Sequence, residues 1–251
     1  MSVKGEGTAP EALKGEGQPG NTLPPSPFPL YIKAVVIDLD GTLLDTAPDL
    51  ADAAMAMASD LGLPPIDLAE VKTYIGNGVS RLVKRVLTRD MHADPAPELF
   101  AKALPIYEKH YAAWVSRKSR SFPGVEDGLK ALKASGIHVA CITNKAERFT
   151  HPLLKDTGLF DYFELILSGD TLPEKKPSPL PLLHACAVFD CEPNELLLIG
   201  DSLNDTQAAR AAGSHVFCVP YGYNRGRPVT ELDLDAVVES LAEAAKLIVR
   251  K

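Results

Sequence analysis

The sequence has no run of about 18 apolar residues, so no segment reads as a membrane span. Its first residues carry no apolar signal core, and they are acidic and free of arginine. The expectation is a cytoplasmic protein with neither a secretory signal nor an organelle transit peptide. Basic charge is not in surplus: 26 Lys and Arg stand against 33 Asp and Glu, a formal net charge of -7. That balance excludes the broad positive field of a nucleic-acid binder, so an anionic ligand would have to be held by local cations, backbone N–H groups or metal. Cysteine is sparse: Cys141, Cys186, Cys191 and Cys218 sit in or near apolar runs. They read as buried thiols in a reducing compartment rather than a disulfide framework. Cys186 and Cys191 lack a second pair that would complete a zinc site. The histidines form no spaced cluster, and the single tryptophan, Trp114, reads with Tyr107 and Tyr111 as helix packing.

What is present is ordinary globular material. The chain has 251 residues, of which 45% are apolar, enough for one α/β domain with an inserted subdomain. Residues 1–29 stand apart, with six prolines, five glycines and Lys-Gly-Glu-Gly at both 4–7 and 14–17. Such a stretch buries too little apolar surface to offset its ordering entropy, which predicts a disordered tail. From Tyr31 onward, β-branched runs at 32–37, 137–142, 165–167, 196–199 and 216–219 read as buried strands. Helical patterns at 124–135, 147–156, 179–188 and 204–212 fall among them, and a last helix is expected over 235–249. Alternating strands and helices predict a Rossmann-like parallel sheet with helices on both faces.

The segment from 48 to 120 interrupts this alternation. It shows helix starts at Thr46-Ala-Pro-Asp49 and Asp67-Leu-Ala-Glu70, and apolar faces at Leu82, Val83, Val86 and Leu87 and at Phe100, Leu104, Tyr107 and Tyr111. The expectation is a helical cap over 48–120 on a core formed by 30–47 and 121–251. An insertion there lies above the carboxyl ends of the strands, where open α/β sheets bind ligands.

The chemistry sits at those strand ends. The first strand runs into Asp38-Leu-Asp-Gly-Thr42, and two carboxylates buried at a strand end are costly unless a cation neutralises them. A hard, oxygen-rich site suits Mg²⁺. Gly41 signals a break that lets Asp38 and Asp40 diverge. A later strand ends in Thr143-Asn144, another in Gly200-Asp201-Ser202-Leu-Asn-Asp205, and Lys175-Lys176-Pro177 lies between them. Each piece alone also fits an ordinary turn; their order and their common sheet edge make the set specific.

Those four segments resemble the motifs of the haloacid dehalogenase superfamily over about residues 31–223. Within it the sequence is similar to the phosphoglycolate phosphatases, through Ile75-Gly-Asn-Gly78, the Lys-Lys-Pro stretch and Tyr221-Gly-Tyr-Asn224. The resemblance implies a Mg²⁺-dependent phosphomonoesterase acting on a small phosphorylated metabolite, 2-phosphoglycolate. It implies Asp38 as nucleophile and Asp40 as acid and base, with Thr143, Asn144 and Lys176 holding the phosphoryl group. Lys176 is preferred to Lys175 because the motif's lysine directly precedes proline. The metal set implied is Asp38, Asp40 through its backbone carbonyl, and Asp201, with Asp205 either an outer ligand or the partner of Lys176. Gly41, Thr42, Gly76, Asn77, Gly78 and Arg81 are the substrate-binding candidates, Arg81 as the cation for a substrate carboxylate.

Other readings share the scaffold. A sugar-phosphate phosphatase or a β-phosphoglucomutase-like phosphomutase would use the same aspartates. A carbon–halogen hydrolase would need neither Mg²⁺ nor Asp40, and a phosphonate hydrolase would want a cap lysine, for which Lys72 and Lys84 are the candidates. A non-catalytic binding module would be expected to have lost Asp38 or Asp40. No nucleic acid or membrane partner is expected, and the oligomeric state is left open.

Overall fold

The computed structural model describes residue 1 and residues 28–251, so the tail expected over 1–29 lies almost wholly outside the described residues. The first strands are β1 (Leu30–Ile32) and β2 (Ala34–Ile37), followed by the short β3 (Leu44–Asp45). Four helices come next: α1 (Ala47–Asp60), α2 (Leu68–Tyr74), α3 (Val79–Thr88) and α4 (Pro97–Trp114). The chain returns through β4 (Arg120–Ser121), then α5 (Val125–Ala134), β5 (His138–Ile142), α6 (Glu147–Asp156) and β6 (Leu165–Leu167). It finishes with α7 (Leu180–Val188), β7 (Leu196–Gly200), α8 (Leu203–Ala212), β8 (His215–Cys218), β9 (Ala236–Val237), α9 (Leu241–Lys246) and β10 (Ile248–Arg250).

Six strands form one parallel sheet in the order β6-β5-β2-β7-β8-β9. Strand β2 lies in its interior, between β5 and β7, and is buried along its whole length, which is why its sequence is continuously apolar. Alternate residues feed two cores. Val35, Ile37, Val139, Ile199 and Phe217 face one side with Leu129 and Leu241, whereas Ala34, Val36, Ile142, Leu198 and Val216 face Leu182 and Ala208 on the other. Period-two alternation on a doubly covered sheet requires this division.

The helical insertion is joined to the sheet by a narrow stem. Strands β3 and β4 pair antiparallel, Leu44 opposite Ser121 and Asp45 opposite Arg120, so the chain's entry and exit lie side by side. Asp49, fully buried in the first turn of α1, closes the exit by accepting the N–H groups of Lys118 and Ser119 and the Ser119 hydroxyl. Tyr107 and Tyr111 are buried as the helical pattern predicts. Asp67 caps α2 through its carboxylate, accepting from Glu70 N–H at 2.9 Å. Thr46 occupies the cap position of α1, but its hydroxyl is directed elsewhere, to Asp40.

The expected helix over 235–249 is not formed. Its span holds β9, the short α9 capped by Ser240, and the start of β10. Val237 and Ile248 take strand positions because β8 and β1 offer them open edges, and β-branched residues favour that choice over helix. No helix among the described residues is long and apolar enough to cross a membrane.

Candidate active site

The carboxyl edge of the sheet gathers the residues picked out in the sequence. Asp38 follows β2 directly, and its N–H still bonds Ile199 O of β7 at 2.9 Å. Lys176, buried among three acceptors, places Nζ 2.9 Å from Asp38 Oδ1, 2.7 Å from Asp205 Oδ1 and 2.7 Å from Ile142 O. Asp205 spends its other oxygen on the N–H groups of Asp201 and Ser202 and on the Ser202 hydroxyl. It is therefore committed to Lys176 and to the first turn of α8. Lys175 instead reaches over to the Asn77 carbonyl at 3.1 Å.

Asp201 lies opposite Asp38 and accepts from the Thr42 hydroxyl at 3.1 Å and from Tyr223 N–H. Two glycines permit this close fit. A Cβ on Gly222 would stand 2.2 Å from Asp201 Oδ2, and one on Gly41, whose φ is +89°, would stand 2.4 Å from the same oxygen. Gly41 and Thr42 thus shape the seat of Asp201 rather than line the cavity itself.

Carboxylate oxygens of Asp38, Asp201 and Asp205 can come within 4.8 Å of one another. Burial pushes the Asp38 carboxyl up to about 7, with Asp205 and Asp40 adding and Lys176 opposing. Burial raises Asp201 well above the ordinary carboxylate range as well, helped by Asp205 and Asp38. Three carboxylates with one ammonium leave a surplus of negative charge out of water, and a hard divalent cation is the species that would remove it. The donor set therefore fits Mg²⁺.

Asp40 turns away from this cluster. Its carboxylate receives Lys145 Nζ at 2.8 and 3.0 Å and the Thr46 hydroxyl at 2.7 Å. Lys145, almost fully buried, also stands 5.0 Å from the Tyr111 ring centroid. Sequence reasoning passed over Lys145, although it directly follows Thr143-Asn144 at the same strand end. It also left Tyr223 without a role. The Tyr223 hydroxyl accepts from Thr46 and Ala47 N–H at 2.8 and 3.0 Å and donates to Asp45, fastening the stem to the sheet edge.

Asp38, Asp40, Thr143, Lys145, Lys176 and Asp201 border a small, partly open cavity of about 40 Å³, roofed by Ile75, Gly76, Gly78 and Val79. The roof is bonded down. The Gly76 carbonyl accepts from Asn144 Nδ2 at 3.1 Å and from Asn204 Nδ2 at 3.0 Å, and Asn77 Nδ2 reaches Asn204 Oδ1 at 3.3 Å. Asn144 Oδ1 is buried with no partner among the described residues. Arg81 is not brought to the cavity. It bonds Asp94 and the Met91 carbonyl on the outer side of α3. Asn224 Nδ2 donates to Arg227 O within its own loop.

A Rossmann-like sheet with an acidic cluster at its carboxyl edge, under a helical insertion after the first core strand, defines a capped α/β enzyme with a site suited to a divalent cation and an anionic ligand. The family model described as haloacid dehalogenase-like hydrolase matches residues 35–219, more than half of the chain. A phosphoglycolate phosphatase from Thiobacillus denitrificans is 73% identical over 223 residues, covering 89% of this chain and 98% of the relative. Another from Nitrosospira multiformis is 59% identical over 88% of this chain and 97% of its own. Among solved structures, a predicted phosphoglycolate phosphatase from Haemophilus somnus superposes with TM-score 0.81 at 33% identity, over 86% of this chain and 97% of that one. The chain belongs to the haloacid dehalogenase-like hydrolase family, and it is a phosphatase within it.

Proposed function

We propose that this phosphatase converts 2-phosphoglycolate to glycolate and phosphate, with Mg²⁺ and through a phosphoaspartate on Asp38. The observation that carries the substrate is the 73% identity, across 98% of its length, to a relative named phosphoglycolate phosphatase. Asp38 attacks phosphorus and forms an acyl phosphate, splitting one hard displacement into two easier ones. Asp40, ion-paired with Lys145 at rest, takes up a proton before the first step, gives it to the departing oxygen, and then takes one from the water that cleaves the acyl phosphate. The Thr143 hydroxyl, the Asn144 backbone N–H and Lys176 hold the phosphoryl oxygens as their charge redistributes. Asp38, the Asp40 carbonyl and Asp201 would hold Mg²⁺, which supplies the positive charge that lets a carboxylate approach a phosphate dianion. Asp205 acts through Lys176, whose ammonium it fixes.

The insertion over 48–120 serves as a cap on the core of 30–47 and 121–251. A cavity of about 40 Å³ has room for roughly one water. A phosphate ester enters when the cap lifts at the β3–β4 stem, and the contacts to Gly76 and Asn77 reform behind it.

A second reading, a sugar-phosphate phosphatase or mutase, is favoured by one observation. CbbY from Rhodobacter sphaeroides, solved with phosphate and, as a mutant, with xylulose-1,5-bisphosphate, shares the fold at TM-scores of 0.70 and 0.68 and 26% identity. The test is phosphate release from 2-phosphoglycolate, hexose phosphates and pentose bisphosphates, with Mg²⁺ and with chelator. Mg²⁺-dependent release with the highest kcat/KM for 2-phosphoglycolate is expected. A sugar-preferring profile would move the substrate, and sugar phosphate formed without free phosphate would make the enzyme a mutase. Full turnover in chelator would remove the metal from the reaction.

A further inference from the structure

Arg85 is a buried cation with no carboxylate paired to it among the described residues. Its residue is 3% exposed, and its guanidinium donates only to neutral oxygens: the Tyr74 carbonyl at 2.6 Å, the Met91 carbonyl at 3.2 Å and Asn77 Oδ1 at 2.9 Å. Asn77 Oδ1 also accepts from Arg225 Nη2 at 3.1 Å. Two guanidiniums, one from the helical insertion and one from the core, thus converge on a single uncharged oxygen. Neither forms an ion pair among the described residues. Arg81 stands one turn before Arg85 and shares Asp94 with Lys84, at 3.1 and 2.8 Å, so one carboxylate answers two cations there. Nearby Asp90 turns its carboxylate to the N–H groups of His92 and Ala93.

Like charges so placed repel, and a buried guanidinium with no acid beside it is costly. Burial, together with Arg225 and Arg81, pushes Arg85 down to about 10. Arg225 also adopts a left-handed backbone, φ 53°, which non-glycine residues favour only when the surroundings hold them there. Met91 and His92 join the three arginines and Asn77 around an open groove of about 340 Å³. The groove is separate from the reaction cavity, which none of the three arginines lines. Planar guanidinium forks converging from two sides match the oxygens of a tetrahedral oxyanion.

We propose that this groove binds a free oxyanion of the phosphate or sulfate class between Arg85 and Arg225, tying the helical insertion to the core. The site does not depend on which ester the enzyme cleaves. Asn77 is the link to the cavity: it contacts both arginines, and its neighbours Gly76 and Gly78 form the roof. An anion that joins the two guanidiniums stabilises the closed arrangement, and closure in turn strengthens anion binding by the same factor.

The experiment is isothermal titration of inorganic phosphate into the Mg²⁺-loaded wild-type protein, Arg225→Gln and Arg227→Gln. Both arginines are exposed in one loop, so folding is not at stake. Arg225→Gln should bind one equivalent fewer than wild type, or bind the second at least tenfold more weakly, whereas Arg227→Gln should match wild type. Phosphate should also slow amide exchange at 76–78 more in wild type and Arg227→Gln than in Arg225→Gln. Equal stoichiometry and affinity in all three proteins would overturn the site, and equal slowing of exchange would overturn its hold on the roof. A raised KM for 2-phosphoglycolate in Arg225→Gln, with phosphate stoichiometry unchanged, would mean that the cluster reads the substrate's own anionic end and would also overturn the proposal.

Discussion

Lys145 Nζ bridges the two carboxylate oxygens of Asp40, at 2.8 and 3.0 Å, joining residues 105 positions apart in the sequence. The pair sits against the Tyr111 ring from the helical insertion and the Thr46 hydroxyl at the head of α1. The position of Asp40 is therefore set jointly by the sheet edge and the helices above it.

Lys145→Met should leave Asp40 largely buried and without its counter-ion. Removing one partner of such a pair costs about 3 kcal/mol, and denaturant unfolding should show a loss of that order. The rate should fall through kcat more than through KM, with Lys145→Arg recovering part of it. Unchanged kcat in a destabilised Lys145→Met would reduce the pair to a structural contact.

Asp38→Asn should lower kcat by at least about 10³-fold, because the amide cannot form the acyl phosphate. Circular dichroism should show an intact fold, since the amide keeps the size of the carboxylate. Substantial turnover by cleanly prepared Asp38→Asn protein would sink the nucleophile assignment.

Gly222→Ala tests the seat of Asp201. The added methyl would meet the Asp201 carboxylate 2.2 Å away, so the loop or the carboxylate must shift. The Mg²⁺ concentration for half-maximal activity should rise by about tenfold or more, the range seen when support of a metal ligand is disturbed. An unchanged Mg²⁺ dependence would argue against Asp201 as a ligand.

Glu195 gives a pH prediction away from the site. Lys251 Nζ at 2.6 Å, the Glu192 N–H at 3.0 Å and Lys33 Nζ at 3.1 Å hold its carboxyl down to about 2, below the ordinary value of 4.5. The folded state binds this proton less readily than the unfolded chain. The contribution is therefore complete above pH 4.5 and is lost as pH falls toward 2. Urea unfolding of wild type and Glu195→Gln should differ most at neutral pH and converge on acidification. A gap that stays constant down to pH 3 would show that the charge contributes nothing.

Much of the fold was legible because its signals are local. The run at 32–37 appears as β1 and β2, and helix α6 spans the residues the pattern marked, 147–156. The groups at the strand ends could be placed on one edge because every parallel strand delivers its carboxyl end to the same side. The C-terminal segment misled, since its helical period competed with edge pairing to β8 and β1, which no local window contains. Arg81 misled similarly: one turn along α3, Arg85 is the arginine turned inward.

The sequence by itself determined β2, β5, β6, β7 and β8 of the core sheet, the helices α5 to α8 among them and the order in which Asp38, Thr143, Lys176 and Asp201 reach the sheet edge. Periodicity and turn chemistry act over a few residues, so they can be read without the fold. Only the tertiary structure decided that Lys145 pairs with Asp40, that Asp205 belongs to Lys176, and that Arg85 meets Arg225 over Asn77. Those choices depend on which charges burial brings together, and residues distant in the chain become neighbours only when the sheet and its helical insertion close on each other.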